Sequence, residues 1–586
     1  MLLHLAPLLL ALLTPTSDQD PRNIRNGLVI PDEGYCDQPY VVVLPDGAWL
    51  CVMTTGSAHE GQDGQHVVSL RSSDRGRSWS EPVDIEPADG PVASWAMPLL
   101  APDGRVHVFY VYNGDRVTGR RADMLGWYCW RFSDDGGRSW SERRRLPLRE
   151  TAVDRGNDFA GDPQIFWGIG KPIVFEGSAI FGLTKIGRYM LDESEGWFFR
   201  SPNLLTESDP ERVVWELLPE GDQGLRAPEH GSIQSEQNLV ALSKGDLYCM
   251  YRTTMGYPCH AYSRDGGKSW SEPEAATHTP GGRRFKHPRA CPRIWRTKEG
   301  RYLFWFHNLA AKDWSPGTRN PAWISGGVER DGWIHWSQPE LLLYDPDPRV
   351  RMSYPDLIEQ DGRIWITETQ KSIARVHEID PSLLEGLWTQ GTRAELPRGG
   401  NLLELETAGS ETHSLPELPD LDAGGSFSVE LWLRGPAAGD ELGVLSATRE
   451  LGAGLHLSLL PDGSACLVAS DGQTSQRFCS DPGLITRGGL HHVVVIADGP
   501  PGILTWVVDG VLCDGGEERL AGWTRLRDAA DEPSLLSMAV ELARDRPLEL
   551  DPCVETLRVY GRALRTSEAI ASFRVGRGKP SGSSGK

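Results

Sequence analysis

The chain has 586 residues, with 60 basic and 81 acidic side chains and a formal net charge of −21. This acidic balance argues against a nucleic-acid-binding or anionic-membrane-binding surface, because both need concentrated positive charge. The length allows more than one domain, and the 21 tryptophans and 65 glycines favour turn-rich β architecture or a carbohydrate-facing surface.

The N-terminal residues 1–17, MLLHLAPLLLALLTPTS, are an apolar stretch followed by small polar residues. They predict a signal peptide, too short to span a membrane, and hence a secreted or periplasmic location. No later segment approaches the run of about 20 apolar residues that a membrane span needs.

Ten cysteines are compatible with export, and the connectivity of any disulfides stays open. Candidate pairs are Cys466/Cys479, Cys513/Cys553 and Cys249/Cys259. No C-x-x-C pair occurs, and we predict neither a metal site nor a cofactor.

The first predicted strand lies in GYCDQPYVVVLPDG, residues 34–47. An apolar run at 41–44 precedes the turn signal Pro45-Asp46-Gly47, which ends the strand. The strand is entered through two polar residues, Asp37 and Gln38, followed by a proline.

Internal repetition organises the first two thirds of the chain. The segments SSDRGRSW (72–79), SDDGGRSW (133–140) and SRDGGKSW (263–270) share Ser-x-Asp-x-Gly-x-Ser-Trp. Degraded copies are predicted at Asp192/Trp197 and Asp331/Trp336. A period of about 60 residues, with several short strands in each unit, is typical of propeller blades.

This motif resembles the Asp-box of sialidases (neuraminidases), which are six-bladed β-propellers. The resemblance implies an all-β fold with a six-bladed sialidase-like β-propeller over residues 22–385. Strands from both ends of that range would complete the sixth blade.

A Pro- and Gly-containing linker is predicted over 386–402. The following segments FSVELWLRG (427–435), LTWVVDGV (504–511) and LRVYGRAL (557–564) resemble a laminin-G or concanavalin-like β-jelly-roll domain, predicted over 403–576. The tail 577–586 is predicted to be disordered.

Sialidases are retaining enzymes with a tyrosine nucleophile that a glutamate makes basic, an exception to the usual pair of carboxylates. A neutral phenol does not repel the carboxylate of the substrate. Three arginines bind that carboxylate, because guanidinium groups pair with it in a planar, bidentate way.

The resemblance assigns these roles in chain order. Glu236 precedes a strand and Arg252 ends the next one, as the glutamate and the second arginine do in sialidases. Arg319 matches the third arginine. Tyr354, followed by a strand, a D-G turn and Glu368, matches the nucleophile, and Glu368 would contact substrate at the end of the returning strand.

The proton donor is expected in the glycine-containing loop before the first Asp-box. Asp63 is the best match in residue type, with Glu60 and His59 as alternatives. Glycines on either side suit a loop that closes over substrate. Arg289, His287 and His307 also lie near predicted strand ends and are candidates to line the cleft.

The first arginine is where this sequence departs from sialidases. They carry Tyr-Arg-Ile-Pro at the first strand, whereas this chain has Cys36-Asp37-Gln38-Pro39, so that Asp37 stands in the arginine's place. An acid there opposes a bound carboxylate. Either another arginine, for instance Arg25 or Arg71, reaches the pocket, or the sugar lacks a sialic-type carboxylate.

The sequence thus predicts a secreted, exo-acting glycoside hydrolase of sialidase type that cleaves terminal sialic acid or a related sugar from a glycan. Its catalytic residues would be Tyr354, Glu236 and Asp63, with Arg252, Arg319, Asp37 and Glu368 at the substrate. The alternatives are a non-catalytic glycan-binding propeller and a propeller glycosidase or lyase acting on a non-sialic sugar. The oligomeric state is not predicted.

Overall fold

The computed structural model describes residues 20–118, 121–188, 191–313, 315–406, 413–436, 440–527 and 533–576. The predicted signal peptide and the predicted disordered tail lie outside these ranges. The chain divides into two compact units. The larger is Gly27–Arg393 with Glu517–Ala521, and the smaller is Met1–Asn26, Ala394–Gly516 and Gly522–Lys586.

The larger unit begins with strand β1 (Leu28–Ile30) and contains six antiparallel sheets in chain order. The first consists of β2 (Tyr35–Val43), β3 (Trp49–Gly56), β4 (His66–Ser72) and β5 (Val83–Glu86). The second consists of β6 (Ala93–Leu100), β7 (Val106–Tyr112), β8 (Trp127–Ser133) and β9 (Arg144–Arg145). The third consists of β10 (Phe166–Trp167), β11 (Ile173–Phe175), β12 (Ser178–Arg188), β13 (Asp192–Ser201) and β14 (Glu216–Leu218).

The fourth sheet consists of β15 (Ser235–Ala241), β16 (Leu247–Arg252), β17 (Cys259–Ser263) and β18 (Glu274–Ala275). The fifth consists of β19 (Arg293–Arg296), β20 (Tyr302–Phe306), β21 (Ala322–Arg330), β22 (Trp333–Trp336) and β23 (Glu340–Leu343). The sixth consists of β24 (Leu357–Gln360), β25 (Arg363–Thr369) and β26 (Ala374–Glu378). Strand β1 pairs with β26, so both ends of this unit share one sheet.

Apolar clusters pack between successive sheets. One cluster joins the first and second sheets, a second joins the second and third, and a third joins the third and fourth. Another joins the first sheet to the sixth and includes Trp49 against Trp365. Strand β2 is buried along almost its whole length, as expected for an apolar strand with sheets on both faces.

The three clean Asp-boxes form the same turn after the third strand of their sheets. In the first box, Asp74 Oδ1 accepts hydrogen bonds from the Ser78 amide and Ser72 Oγ at 2.9 Å each, and Oδ2 accepts one from Ser78 Oγ at 2.6 Å. Asp135 and Asp265 make equivalent contacts. The boxes therefore stabilise turns, as their local hydrogen-bonding capacity predicts.

The two degraded copies do not form this turn. Asp192 opens β13 and pairs with Arg188, the last residue of β12. Asp331 and Gly332 make a two-residue hairpin turn between β21 and β22, both with positive φ. An Asp followed five residues later by a Trp therefore does not by itself predict the Asp-box turn.

The smaller unit has two antiparallel sheets that share one apolar core. Its strands are β27 (Asn401–Glu406), β28 (Ser426–Arg434), β29 (Leu442–Thr448), β30 (Gly454–Leu459), β31 (Ala465–Ser470), β32 (Ser475–Cys479), β33 (Leu490–Asp498), β34 (Ile503–Val508), β35 (Val511–Leu512), β36 (Thr524–Arg525), β37 (Glu549–Leu550) and β38 (Val554–Tyr560). Of the three candidate cysteine pairs, Cys466 and Cys479 form a disulfide, between β31 and β32, and the other two pairs do not.

The α-helices are α1 (Ala152–Arg155), α2 (Pro381–Thr389), α3 (Leu535–Ala543) and α4 (Thr566–Val575). Short 3₁₀ helices cover Ile24–Asn26, Ala122–Met124, Pro210–Arg212, Pro228–His230, Pro316–Arg319 and Glu450–Gly452. Helix α2 lies within the range predicted as the end of the first domain and the start of the linker. Across the described ranges, no helix combines the length and apolar character that a membrane crossing requires.

Candidate active site

The candidate site is built on irregular strand entrances in four sheets. The pairing of β2, β6 and β15 shifts register at Asp37/Tyr40, Ser94/Met97 and Ser235/Asn238. At each bulge a non-glycine residue has positive φ: Gln38 (+53°), Trp95 (+64°) and Glu236 (+64°). Tyr354, just before β24, has φ +45°. Such strained conformations persist only where surrounding structure enforces them, and they concentrate at functional sites.

Tyr354 and Glu236 meet from two different sheets. Tyr354 Oη donates a hydrogen bond to Glu236 Oε1 at 3.0 Å, and Arg252 Nη1 lies 2.5 Å from the same oxygen. Tyr354 is 3% exposed and Glu236 is 1% exposed. We call Tyr354, Glu236, Arg252, Arg319 and Arg289 the tyrosine cluster.

The electrostatics of this cluster keep Tyr354 protonated. Burial raises the pKa of Tyr354 well above its ordinary value, the negative charge of Glu236 raises it further, and the positive charge of Arg252 opposes both. Removal of the phenol proton therefore requires an acceptor at hydrogen-bond distance. Glu236 Oε1 is that acceptor.

Arg319 and Arg289 complete the cationic side of the cluster. Arg319 Nη1 donates to Ser353 Oγ at 2.9 Å, and its Nη2 donates to the Arg289 carbonyl oxygen at 2.8 Å. Burial, with the charges of Arg252 and Arg319, lowers the pKa of the Arg289 guanidinium. Arg289 is only partly buried, and its side chain forms no ion pair with another described residue. Crowded guanidinium groups of this kind suit an anionic ligand.

A second group of charges lies close to the Tyr354 ring. We call Lys371, Asp37, Glu60, Arg121 and Asp123 the lysine cluster. Lys371 Nζ donates to Asp37, lies 3.4 Å from Glu60 Oε1 and lies 4.6 Å from the centroid of the Tyr354 ring. Burial raises the pKa of Asp37, although the Lys371 charge acts in the opposite direction. Lys371 thus compensates the charge of the residue that stands in the first arginine's place.

Glu60 anchors the loop that carries the predicted acid. Arg121 Nη2 binds Glu60 Oε1 at 2.7 Å, while Arg121 Nε binds Asp123 Oδ1 at 3.0 Å. Burial acts to raise the pKa of Glu60, but the charges of Lys371 and Arg121 outweigh it and lower this pKa to about 2. Glu60 is therefore a carboxylate at neutral pH and is poorly suited to donate a proton.

The remaining predicted residues lie apart from the two clusters. Asp63 is exposed on the Glu60 loop and makes no side-chain hydrogen bond or ion pair with any residue that the structure describes. Glu368 is buried beside His377, at 3.5 Å, because alternation along β25 sends Thr367 and Thr369 toward β2 and Glu368 to the other face. Glu368 is therefore not brought into the site.

Of the two arginines suggested as substitutes for the first one, Arg71 does not enter the clusters. Arg71 binds the Gly136 carbonyl oxygen at 2.6 Å and Asp46 at 2.9 Å, on the Asp-box side of its sheet. Arg25 belongs to the smaller unit. The sequence analysis missed Lys371, Arg121 and Asp123. It named Arg289 only as a possible cleft residue.

Two buried polar residues, Arg293 and Asn238, hold the backbone near Tyr354 and Glu236. Arg293 donates to Asn238 Oδ1 at 2.6 Å and to the Pro355 carbonyl oxygen at 3.2 Å. Asn238 Nδ2 donates in turn to the Glu236 carbonyl oxygen at 2.7 Å. Arg293 therefore connects the backbone on both sides of the Tyr354–Glu236 contact.

The low pKa of Glu60 predicts a pH-dependent contribution to stability. Its folded-state pKa of about 2 lies below the ordinary 4.5, so the stabilisation is complete above pH 4.5 and disappears as the pH falls toward 2. We expect Glu60→Gln to lower the melting temperature most at pH 6–7 and progressively less below pH 4.5. Thermal unfolding from pH 3 to 7, with the exposed Glu81→Gln as a control, tests this. A pH-independent difference would contradict it.

Within the described ranges, no group of three or more His, Cys, Asp or Glu side chains is placed to hold a metal ion.

Comparison with known families is consistent with the repeats. Residues 91–366 match the BNR repeat-like domain. This BNR repeat-like region contains Glu236, Arg252, Arg319 and Tyr354 and two of the three Asp-boxes. A comparison with curated proteins finds no significant match.

Several solved structures are similar to the chain at low identity. A Dyadobacter fermentans protein of unknown function is 14% identical, with a TM-score of 0.45, covering 60% of this chain and 97% of its own. A Trypanosoma rangeli sialidase mutant that displays trans-sialidase activity is 14% identical, with a TM-score of 0.44, covering 94% and 96%. A Hadza microbial sialidase is 17% identical, with a TM-score of 0.43, covering 60% and 68%.

Proposed function

We propose that the larger unit is a six-bladed sialidase-like propeller and that the protein is a retaining, exo-acting glycoside hydrolase. The observation that carries this proposal is the contact between Tyr354 Oη and Glu236 Oε1 at 3.0 Å, with Arg252 on the same carboxylate oxygen. The order of these residues in the sequence and the BNR repeat-like match support it.

In the proposed first step, Tyr354 Oη attacks the anomeric carbon and Glu236 takes up the phenol proton. The bond from the anomeric carbon to the leaving-group oxygen breaks, and that oxygen is protonated by Asp63. Asp63 is assigned this role because it is exposed on the loop that Glu60 anchors, whereas Glu60 is held ionised by two cations. In the second step, a water oxygen bonds to the anomeric carbon while Asp63 takes up the water proton. The bond from that carbon to Tyr354 Oη breaks, and Glu236 returns its proton to the phenolate oxygen.

The cations of the tyrosine cluster would orient an anionic or strongly polar group of the sugar. Arg252 is already paired with Glu236, so Arg319 and the more exposed Arg289 are the main candidates for this contact. Sialic acid or a related sugar is the proposed substrate. The smaller unit is proposed to be a laminin-G or concanavalin-like jelly roll, and the whole protein to be exported.

The test is to incubate the full chain with aryl glycosides of sialic acid and of neutral sugars and to follow release of the phenol. Nuclear magnetic resonance then identifies the anomer that is released first. We expect hydrolysis of at least one glycoside with retention of configuration. Release of an unsaturated product that absorbs ultraviolet light would indicate a lyase, and the absence of any turnover would indicate a binding protein. Either result would contradict the proposal.

A further inference from the structure

Gln38, at the entrance of β2, is a positive-φ residue of the candidate site that has no assigned role so far. At Glu236 and Tyr354, two of the other positive-φ positions, the preceding serine contacts the tyrosine cluster as well. Ser235 Oγ and Glu236 both contact Arg252, and Ser353 Oγ contacts Arg319 while Tyr354 contacts Glu236. At each of the three bulges two residues oppose one residue of the partner strand, and the first of the two has positive φ: Gln38 before Pro39, Trp95 before Ala96, and Glu236 before Gln237.

The three other positive-φ residues also contact one another. Tyr354 hydrogen-bonds to Glu236, and the Trp95 ring lies edge-on to the Tyr354 ring with centroids 6.2 Å apart. The equivalent residue on β2 is Gln38, and its neighbour Asp37 belongs to the lysine cluster. Because the same bulge occurs in β2, β6 and β15, Gln38 occupies the position in β2 that Trp95 and Glu236 occupy in β6 and β15.

Gln38 is fully buried, and neither Oε1 nor Nε2 has a hydrogen-bond partner within the described residues. The Gln38 side chain has the same exposed fraction as Asp37 and nearly the same as Glu236. Gln38 is therefore as accessible to a ligand as these two residues of the candidate site. A buried amide without partners is destabilising, and native proteins seldom retain one without a reason. The side chain offers one acceptor and two donor hydrogens.

We propose that the Gln38 amide binds a neutral polar group of the reacting sugar, a hydroxyl or an acylamino group that both donates and accepts. This inference rests on the proposed function, and it specifies that the sugar substrate carries such a neutral polar group. Lys371, the cation beside Asp37, is already paired with Asp37 and lies 3.4 Å from Glu60 Oε1, so it is not available to a carboxylate of the sugar. Any anionic group of the sugar would bind instead at Arg319 and Arg289.

The test combines stability and binding in Gln38→Leu, which removes the amide and nearly keeps the volume. We expect its melting temperature to be unchanged or higher, because the unpartnered amide is gone. We expect its dissociation constant for the sugar to rise about tenfold, which is the size of one lost hydrogen bond in an enclosed site. The probes are N-acetylneuraminic acid, N-acetylglucosamine and galactose, measured by isothermal titration calorimetry with the full chain.

Gln65→Leu is the matched control for stability. Gln65 is a buried glutamine just before β4 of the same sheet, but its Oε1 accepts from the Gly61 amide at 2.6 Å and its Nε2 donates to Ser94 Oγ. Its replacement should lower the melting temperature, because it leaves those partners unsatisfied. A matching loss of stability in Gln38→Leu would show that Gln38 also has partners in the folded protein and would overturn the inference.

Two binding results would also overturn it: sugar affinities in Gln38→Leu within twofold of the wild type, or no binding of any of the three sugars to the wild type. Parallel assays with Tyr354→Phe separate this inference from the proposed function. If Tyr354→Phe kept full turnover while Gln38→Leu bound sugar more weakly, the tyrosine mechanism would be contradicted and the Gln38 contact supported. If Tyr354→Phe were inactive while Gln38→Leu bound sugar normally, only the Gln38 contact would be contradicted.

Discussion

Replacement of Tyr354 by phenylalanine is expected to lower kcat/KM on aryl glycosides by at least about 10³-fold, because it removes the attacking oxygen. The ring and its contact with Trp95 are kept, and Glu236 Oε1 retains Arg252 as a partner. The free energy of unfolding should therefore change by no more than about 1 kcal/mol, the size of one hydrogen bond. Steady-state kinetics and thermal unfolding of the same preparation provide both values.

Tyr128→Phe is the matched control. Tyr128 is equally buried in the larger unit, and its hydroxyl has no hydrogen-bond partner within the described structure. Its loss should leave both activity and stability near the wild-type values. If Tyr354→Phe kept more than about a tenth of the wild-type kcat/KM, a nucleophilic role for Tyr354 would be ruled out.

Replacement of Lys371 by methionine is expected to have the largest effect on stability. It leaves Asp37 buried without its cation, and loss of one partner of a buried pair costs about 3–5 kcal/mol. Burial already raises the folded-state pKa of Asp37. A carboxyl with a raised folded-state pKa is most favourable at low pH, so the variant should be less impaired at pH 5 than at pH 8.

The double variant Lys371→Met/Asp37→Asn removes the uncompensated charge and should recover much of the lost stability. The exposed Lys244→Met serves as the control for removal of a lysine charge. Urea unfolding at pH 5 and pH 8 measures all four proteins. Equal destabilisation of the single and double variants would show that Lys371 acts through packing rather than through Asp37.

Part of this architecture follows directly from local chemistry in the sequence. The clean Asp-boxes form the predicted turns because Ser, Asp and Gly at that spacing satisfy one another within a few residues. Glu236 and Tyr354 meet because each stands at the entrance of a strand, and such entrances recur at corresponding places in the sheets. Arg252 joins them because it ends β16 directly opposite Ser235 at the entrance of β15, and Arg319 lies just before β21.

Other parts depend on tertiary structure and left little trace in the sequence. Lys371 lies in a turn after β25 with φ +73°, and its charge matters because Asp37 and Glu60 lie beside it in the folded chain. Glu368 was misplaced because its position in the sequence does not reveal which face of β25 packs on β2. The repeated polar pairs before the strands, Asp37-Gln38 and Ser235-Glu236 among them, were the signal that could have pointed to Gln38.

The most direct test of a tyrosine nucleophile is to trap the covalent intermediate with a fluorinated glycosyl fluoride of the sugar that the protein hydrolyses. Tyr354 Oη would bond to the anomeric carbon, fluoride would leave, and Glu236 would accept the phenol proton. Mass spectrometry of proteolytic peptides should then find the sugar on the peptide that contains Tyr354 and none in Tyr354→Phe. A sugar attached to a different residue, or undiminished labelling of Tyr354→Phe, would contradict the mechanism.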